Sequence, residues 1–318
     1  MKMIEKEIQH VLKTQPILIL DGALATELEQ RGANLNHALW SAKLLKEDPA
    51  LIEAVHYDYL LSGANIITTA SYQASFMGFE QEGYSKEEAI ALFQLSVDLA
   101  EEARQKFITN HANKNKQQIW LAASLGPYGA ALADGSEYRG YENIAIDTLL
   151  AFHEERLEAI LETKVDLLAF ETIPCIDEAI AIKKLLSKYP TKSAWISFSC
   201  KDEKHISSGE LFEDAISVLQ DATGLIGVGV NCTAPQYIES LIQIANSITH
   251  KLIMVYPNKG EKYNAEKKMW EPMLECTNDF LGYSKIWIAA GAHAIGGCCR
   301  TGPNDIKQLA QYIQSEQL

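Results

Sequence analysis

The sequence predicts a single-domain (β/α)8 barrel over residues 1–318. Short β-branched runs recur along its whole length, each followed by a polar or glycine-bearing turn and then an amphipathic helical stretch. Alternating strand and helix implies parallel strands joined by right-handed crossovers, and eight such units is the count that closes a barrel. A doubly wound dinucleotide fold would carry Gly-x-Gly-x-x-Gly after its first strand, and none stands there.

The first strand is Ile17–Leu20, ending in Asp21 ahead of a helix over Ala23–Gln30. The second, Asn65–Thr69, follows the helix Leu51–Leu61 and runs into Ser71-Tyr72-Gln73. His56 lies on the apolar face of that helix and reads as a satisfied structural histidine rather than a base. Trp120–Ser124 is third, with Ser124 and Gly126 at its end, and Asp166–Phe170 is fourth, ended by Glu171. Ala194–Ser199, Gly224–Val230 and Leu252–Tyr256 are fifth to seventh, with Asn231 and Cys232 closing the sixth. Phe280, Tyr283, Trp287 and Ala290 repeat at helical spacing with Gly291 as C-terminal cap, so Trp287 is a core residue and Ala294–Gly297 is the eighth strand.

Barrel active sites lie at the C-terminal ends of the strands, and that is where Cys232 and the pair Cys298-Cys299 fall. Adjacent cysteines on a strand point to opposite sides, so both face one ion only if the chain turns there, which Gly296-Gly297 allows. Three thiols read as a zinc site. Thiolate is a soft ligand that Zn2+ accepts in four-coordinate geometry, and a catalytic zinc keeps one position open. The alternative for any cysteine is plain burial, and this is the reading for Cys175, Cys200 and Cys276. A closed, non-catalytic zinc or thiol-binding site would need a fourth ligand, for which Cys200 and His293 are the poorly placed candidates. Asp21 and Glu171 emerge next to apolar runs, where a lone charge is costly unless paired. Either a structural salt bridge or helix cap holds them, Asp21 being well placed to cap, or a substrate ammonium does.

Composition excludes other classes. No apolar run approaches the roughly 20 residues of a membrane span. The formal net charge of −14 argues against a nucleic-acid surface and permits a cationic ligand. Six cysteines in 318 residues are too sparse for a disulfide framework, and the mixed-charge start at Lys2, Glu5, Lys6 and Glu7 is no secretory signal, so reducing cytoplasm is the expected compartment.

Four segments resemble the homocysteine S-methyltransferases: Leu-Asp-Gly-Ala-Leu-Ala-Thr-Glu-Leu-Glu at 20–29, Ala-Ser-Tyr-Gln-Ala-Ser at 70–75, Phe-Glu-Thr-Ile-Pro at 170–174, and Gly-Val-Asn-Cys with Gly-Gly-Cys-Cys-Arg. Shorter matches are Ser-Leu-Gly-Pro-Tyr-Gly-Ala at 124–130, Asp-Gly-Ser-Glu-Tyr-Arg-Gly at 134–140 and Tyr-Pro-Asn at 256–258, so the resemblance spans nearly the full chain in family order. It implies a zinc barrel with Cys232, Cys298 and Cys299 as ligands and the homocysteine sulfur as the fourth, the carboxylates of Asp21 and Glu171 taking the substrate amino group. Ser124, Asn231, Trp40 and Tyr72 are further candidate substrate contacts. Trp40, Tyr72 and Phe76 could hold a sulfonium by cation–π contact, ordinary packing being the better reading of Phe76. The family usually follows Cys-Cys-Arg with Thr-Thr-Pro; this chain has Thr301-Gly302-Pro303, expected to loosen the turn behind the site.

Folate-dependent members carry further folate and cobalamin domains, and betaine-dependent ones continue well past the cysteine pair, whereas this chain stops at Leu318. The resemblance is closest to compact bacterial members that take methyl from S-methylmethionine and less readily from S-adenosylmethionine. The expected reaction is zinc-dependent methyl transfer from such a sulfonium to L-homocysteine, giving methionine. An alternative acceptor is another thiol or selenol such as selenohomocysteine.

Overall fold

A computed structural model describes residues 3–35, 39–112, 117–264, 269–272 and 279–316. Its strands, in chain order, are β1 (Leu18–Ile19), β2 (Ile66–Thr68), β3 (Trp120–Leu125), β4 (Leu167–Ile173), β5 (Ala194–Phe198), β6 (Leu225–Asn231), β7 (Leu252–Tyr256), β8 (Glu261–Asn264), β9 (Met269–Pro272) and β10 (Ala294–Ile295). Eight of them pair in parallel in the order β1-β10-β7-β6-β5-β4-β3-β2, and the bridge Leu20–Ile66 joins the two ends into a ring. The closing seam is held by Asn65 N donating to the Ile19 carbonyl at 2.7 Å and Asp21 N to that of Ile66 at 3.0 Å. All eight barrel strands fall where sequence periodicity puts them. The antiparallel β8–β9 ribbon between β7 and β10 is an addition it did not predict.

Two apolar layers follow from strand alternation. Residues pointing outward meet the surrounding helices, among them Pro49–Leu61, Lys86–His111 and Ile176–Lys188, in one large buried cluster. Residues pointing inward form a second cluster that contains Leu18, Leu20, Ile66, Trp120, Leu167, Ala169, Trp195 and Met254. Ile8 belongs to it as well, so the amphipathic helix Met3–Val11 packs against the barrel interior. Trp120 Nε1 also reaches Glu7 of that helix, at 3.4 Å.

The period of two then dictates what stands at the top of the same inward columns. Above Trp120 and Ala122 comes Ser124; above Leu167 and Ala169 comes Glu171; above Trp195 comes Ser197; above Met254 comes Tyr256. Large apolar side chains fill the barrel, and its last layer is polar. Trp287 is buried in the core, and Gly291 takes the left-handed cap at φ 103°, as the helical spacing requires.

Candidate metal centre at the barrel mouth

Cys232 leaves the end of β6 in a left-handed conformation, φ 47°. After β10 the chain passes Gly296 and Gly297 before presenting Cys298 and Cys299. Neither glycine adopts positive φ, so the sequence-based reason for them needs correction: they permit close approach. A Cβ on Gly296 would stand 2.6 Å from the Asp21 carbonyl oxygen, and one on Gly297 2.1 Å from Thr301 Cγ2. Backbone bonds fix the loop: Gly297 N donates to Asp21 O at 3.0 Å, Cys298 N to Pro257 O at 2.8 Å and Lys259 N to Cys299 O at 3.1 Å. Gly302 is extended at φ −110°, and its N–H donates to Asp305 Oδ2 at 3.0 Å, opening the helix Pro303–Ser315. With Thr301 N also bonded to Cys298 O at 3.0 Å, the turn behind the site is tied down rather than loosened.

The three sulfurs all lie within 4.8 Å of one another. Those of Cys232 and Cys298 touch, and those of Cys298 and Cys299 are 3.9 Å apart. Burial pushes the Cys299 thiol up to about 12, so a thiolate there calls for a cation beside it. The donor set is all sulfur and fits a thiophilic ion such as zinc. Among the described residues no fourth Cys, His, Asp or Glu joins the cluster. Cys200 is buried apart from it, with its N–H on Thr233 Oγ1 at 2.9 Å. His293 sits at the opposite end of β10 and accepts from Ile253 N at 3.1 Å. Cys175 is buried and free, and Cys276 lies outside the described residues.

Asp21 and Glu171 occupy the same mouth, and both are more than nine-tenths buried. The N-cap of helix Leu24–Gln30 is Ala23, with no side-chain cap bond, so Asp21 is not the cap. Its carboxylate accepts from Thr68 instead, from the N–H at 2.7 Å and the hydroxyl at 3.1 Å. Burial raises its pKa to about 8, opposed by the Thr68 N–H and reinforced by the charge of Glu171. Glu171 accepts from the Ser124 hydroxyl, and burial raises it to about 7 against hydrogen bonds from Ser124 and Tyr256. These two buried carboxylates share the mouth with no Lys or Arg ion pair to either among the described residues, an arrangement that a cation would complete.

Asn231 faces inward but its side chain is engaged. Its Oδ1 accepts from Thr172 N at 2.7 Å and Ser197 Oγ at 2.9 Å, and its amide donates to Thr172 Oγ1 at 2.7 Å. Those bonds hold Thr172 at φ 63°, a strained conformation for a β-branched residue, directly after Glu171. Tyr72 is at the mouth, its hydroxyl pushed well above the ordinary range by burial, then by the charge of Glu137. Phe76 packs on Phe93, ring centroids 5.3 Å apart, as the packing reading requires. Trp40 opens a short helical turn, Trp40–Lys43, and its side chain lies outside the described residues. His56 is fully buried, neither ring nitrogen is partnered among the described residues, and desolvation lowers it to about 4. It is a neutral core residue but not a satisfied one. Residues at the mouth that were not among the sequence candidates are Thr68, Ser197 and Tyr256; the Tyr256 hydroxyl meets Trp195 Nε1 at 2.9 Å and Ser197 Oγ at 2.5 Å.

Known proteins resemble this chain over nearly its whole length. Residues 18–313 match a family model described as homocysteine S-methyltransferase. The chain is 48% identical to homocysteine S-methyltransferase YbgG of Bacillus subtilis strain 168 over 309 residues, covering 97% of this chain and 98% of that one. It is 43% identical over 307 residues to a selenocysteine Se-methyltransferase of Brassica oleracea var. italica, covering 93% and 89%. The crystal structure of the metallated form of the homocysteine methyltransferase MmuM from Escherichia coli superposes with a TM-score of 0.86 at 41% identity, covering 96% of this chain and 99% of that one.

Proposed function

This chain belongs to the homocysteine S-methyltransferase family, and we propose that it moves a methyl group from S-methylmethionine, or from S-adenosylmethionine, to the sulfur of L-homocysteine beside a zinc ion held by Cys232, Cys298 and Cys299. The observation that carries this is the meeting of three sulfurs within 4.8 Å of one another at the same barrel mouth as two buried carboxylates.

Each group has a physical task. A free thiol has a reference pKa of about 8.5 and is mostly protonated at neutral pH, whereas the thiolate is the nucleophile. Zinc supplies, when bound, a redox-silent centre beside which a substrate thiol gives up its proton. Asp21 and Glu171 hold the homocysteine ammonium, and Ser124, Thr68 and Tyr256 hold those carboxylates in place. Asn231 acts one step back, fixing Thr172 and with it the end of β4. Methyl transfer from a sulfonium to a thiolate forms one S–C bond, breaks another and leaves two neutral thioethers, so charge is annihilated and a dry site favours it. Fixing both partners in attack geometry supplies about 7–11 kcal/mol in effective-molarity terms. The sulfonium reading of the donor rests on the departure of a neutral thioether, easier than loss of an amine from a quaternary ammonium or a folate nitrogen.

The test is a donor panel. S-methylmethionine with homocysteine is expected to yield methionine, falling on prolonged chelation and returning with Zn2+, and betaine and methyltetrahydrofolate are expected to yield none. Turnover with betaine and none with either sulfonium overturns the donor assignment. The similarity to a selenocysteine Se-methyltransferase favours a second acceptor reading, a selenol, which kcat/KM for homocysteine against selenocysteine and selenohomocysteine decides.

A further inference from the structure

A third carboxylate reaches the barrel mouth from a different direction. After β3 and the short helix Tyr128–Leu132, the chain turns at Gly135, φ 80°, into the 3-10 turn Ser136–Tyr138. Glu137 lies at its centre. The turn is pinned at both ends: Ser136 N donates to Asp134 Oδ1 at 2.9 Å, and Gly140 N to Ser136 O at 2.8 Å. It is also clamped onto the top of β5, where the Ser199 hydroxyl donates to the Glu137 carbonyl at 3.0 Å and is itself held by Ser207 at 2.7 Å. Gly129 packs so closely beneath that a Cβ there would meet Glu137 N at 2.7 Å.

This rigid mounting holds an acceptor with nothing to accept. Glu137 Oε2 is sealed from solvent and has no hydrogen-bond partner among the described residues. Burial raises Glu137 to about 7, offset only in part by its own N–H and by the charge of Arg139, whose guanidinium donates to the Asp134 carbonyl at 2.9 Å. Ser199 follows the end of β5 two residues after Ser197, whose hydroxyl lines the mouth, so the clamp sets this turn at the rim of the mouth. A carboxylate oxygen sealed without a partner is costly while charged, and a cation in the working complex offsets that cost.

We propose that Glu137 receives the α-ammonium of the methyl donor, making it the donor-side counterpart of the Asp21–Glu171 pair. The missing partner must be a hydrogen-bond donor as well as a cation, since the sealed oxygen lacks an N–H or O–H. A sulfonium carries charge but no proton to donate, whereas the ammonium of a sulfonium amino acid carries both. The inference rests on the sulfonium-donor reading given above.

Kinetics of Glu137→Gln test it, with dimethylsulfoniopropionate, a sulfonium lacking the α-ammonium, as a competing ligand. Loss of one charged hydrogen bond is expected to raise KM for S-methylmethionine about 10- to 100-fold. KM for homocysteine, zinc content and the inhibition constant of dimethylsulfoniopropionate are expected to stay at wild-type values. Glu137→Asp keeps the charge one methylene back and is expected to show a smaller rise, confined to the same substrate. It carries the test if the Gln variant fails to fold. Wild-type turnover with an unchanged S-methylmethionine KM in the variant overturns this inference alone. So does a rise in homocysteine KM, or an equal loss for both sulfoniums. Absence of wild-type turnover with S-methylmethionine overturns the donor reading and the inference together.

Discussion

Replacing any one of Cys232, Cys298 or Cys299 by alanine is expected to abolish methyl transfer and weaken zinc binding. Soft thiolates give the site its affinity, and the three sulfurs meet within 4.8 Å because β6 and β10 flank β7 and end at the same face of the barrel. A two-thiolate remnant has no fourth-group substitute among the described residues, since Cys200 and His293 stand apart. Cys175→Ala and Cys276→Ala are the controls and should keep both zinc and activity. Metal content by atomic emission, with methionine formation on the same samples, reads the result. Full stoichiometry and activity in Cys299→Ala would overturn the ligand assignment.

The second large effect is expected at Glu171. Glu171→Gln keeps the size of the side chain and its contact with Ser124 but removes the charge facing the substrate ammonium. Homocysteine binding should weaken by about 1.5–3 kcal/mol, the contribution of a charged hydrogen bond. The loss belongs to homocysteine and not to the donor, which separates it from the effect at Glu137. Calorimetric titration of the zinc-loaded protein measures it, and unchanged homocysteine affinity in a folded variant would reject the role. Asp21→Asn should act in the same direction. Because its carboxylate also ties β1 to Thr68 of β2, a loss of thermal stability should accompany it.

Much of this architecture was legible in the chain. Apolar runs announce barrel strands because each is buried on both faces, so Leu167–Phe170 and Leu252–Tyr256 read as uninterrupted strand. Cysteines and carboxylates at strand ends stand out because they are out of place beside such runs. Hydroxyl side chains do not: Thr68, Ser197 and Tyr256 are ordinary strand residues by composition. Only the inward register, counted upward from Trp195 or Leu167, shows that they line the mouth. The N-terminal helix Met3–Val11 was not predicted, because a short mixed-charge stretch gives no sign that Ile8 packs against the barrel interior. Gly296 and Gly297 were read for backbone freedom, yet what requires them is the proximity of Asp21 and Thr301, which are distant in sequence. Asp21 looked equally suited to capping the next helix, and only the Thr68 bonds distinguish the two. Glu137 stood inside the matched segment 134–140, but the sequence does not show that one of its oxygens is sealed without a partner.

X-ray absorption at the zinc edge of the loaded protein, with and without selenohomocysteine, distinguishes an open three-thiolate zinc from a closed four-ligand one. Three sulfur neighbours and one light-atom neighbour are expected before ligand is added, and three sulfurs plus one selenium afterwards. A complete shell of four protein ligands that selenohomocysteine leaves unchanged would contradict the open site.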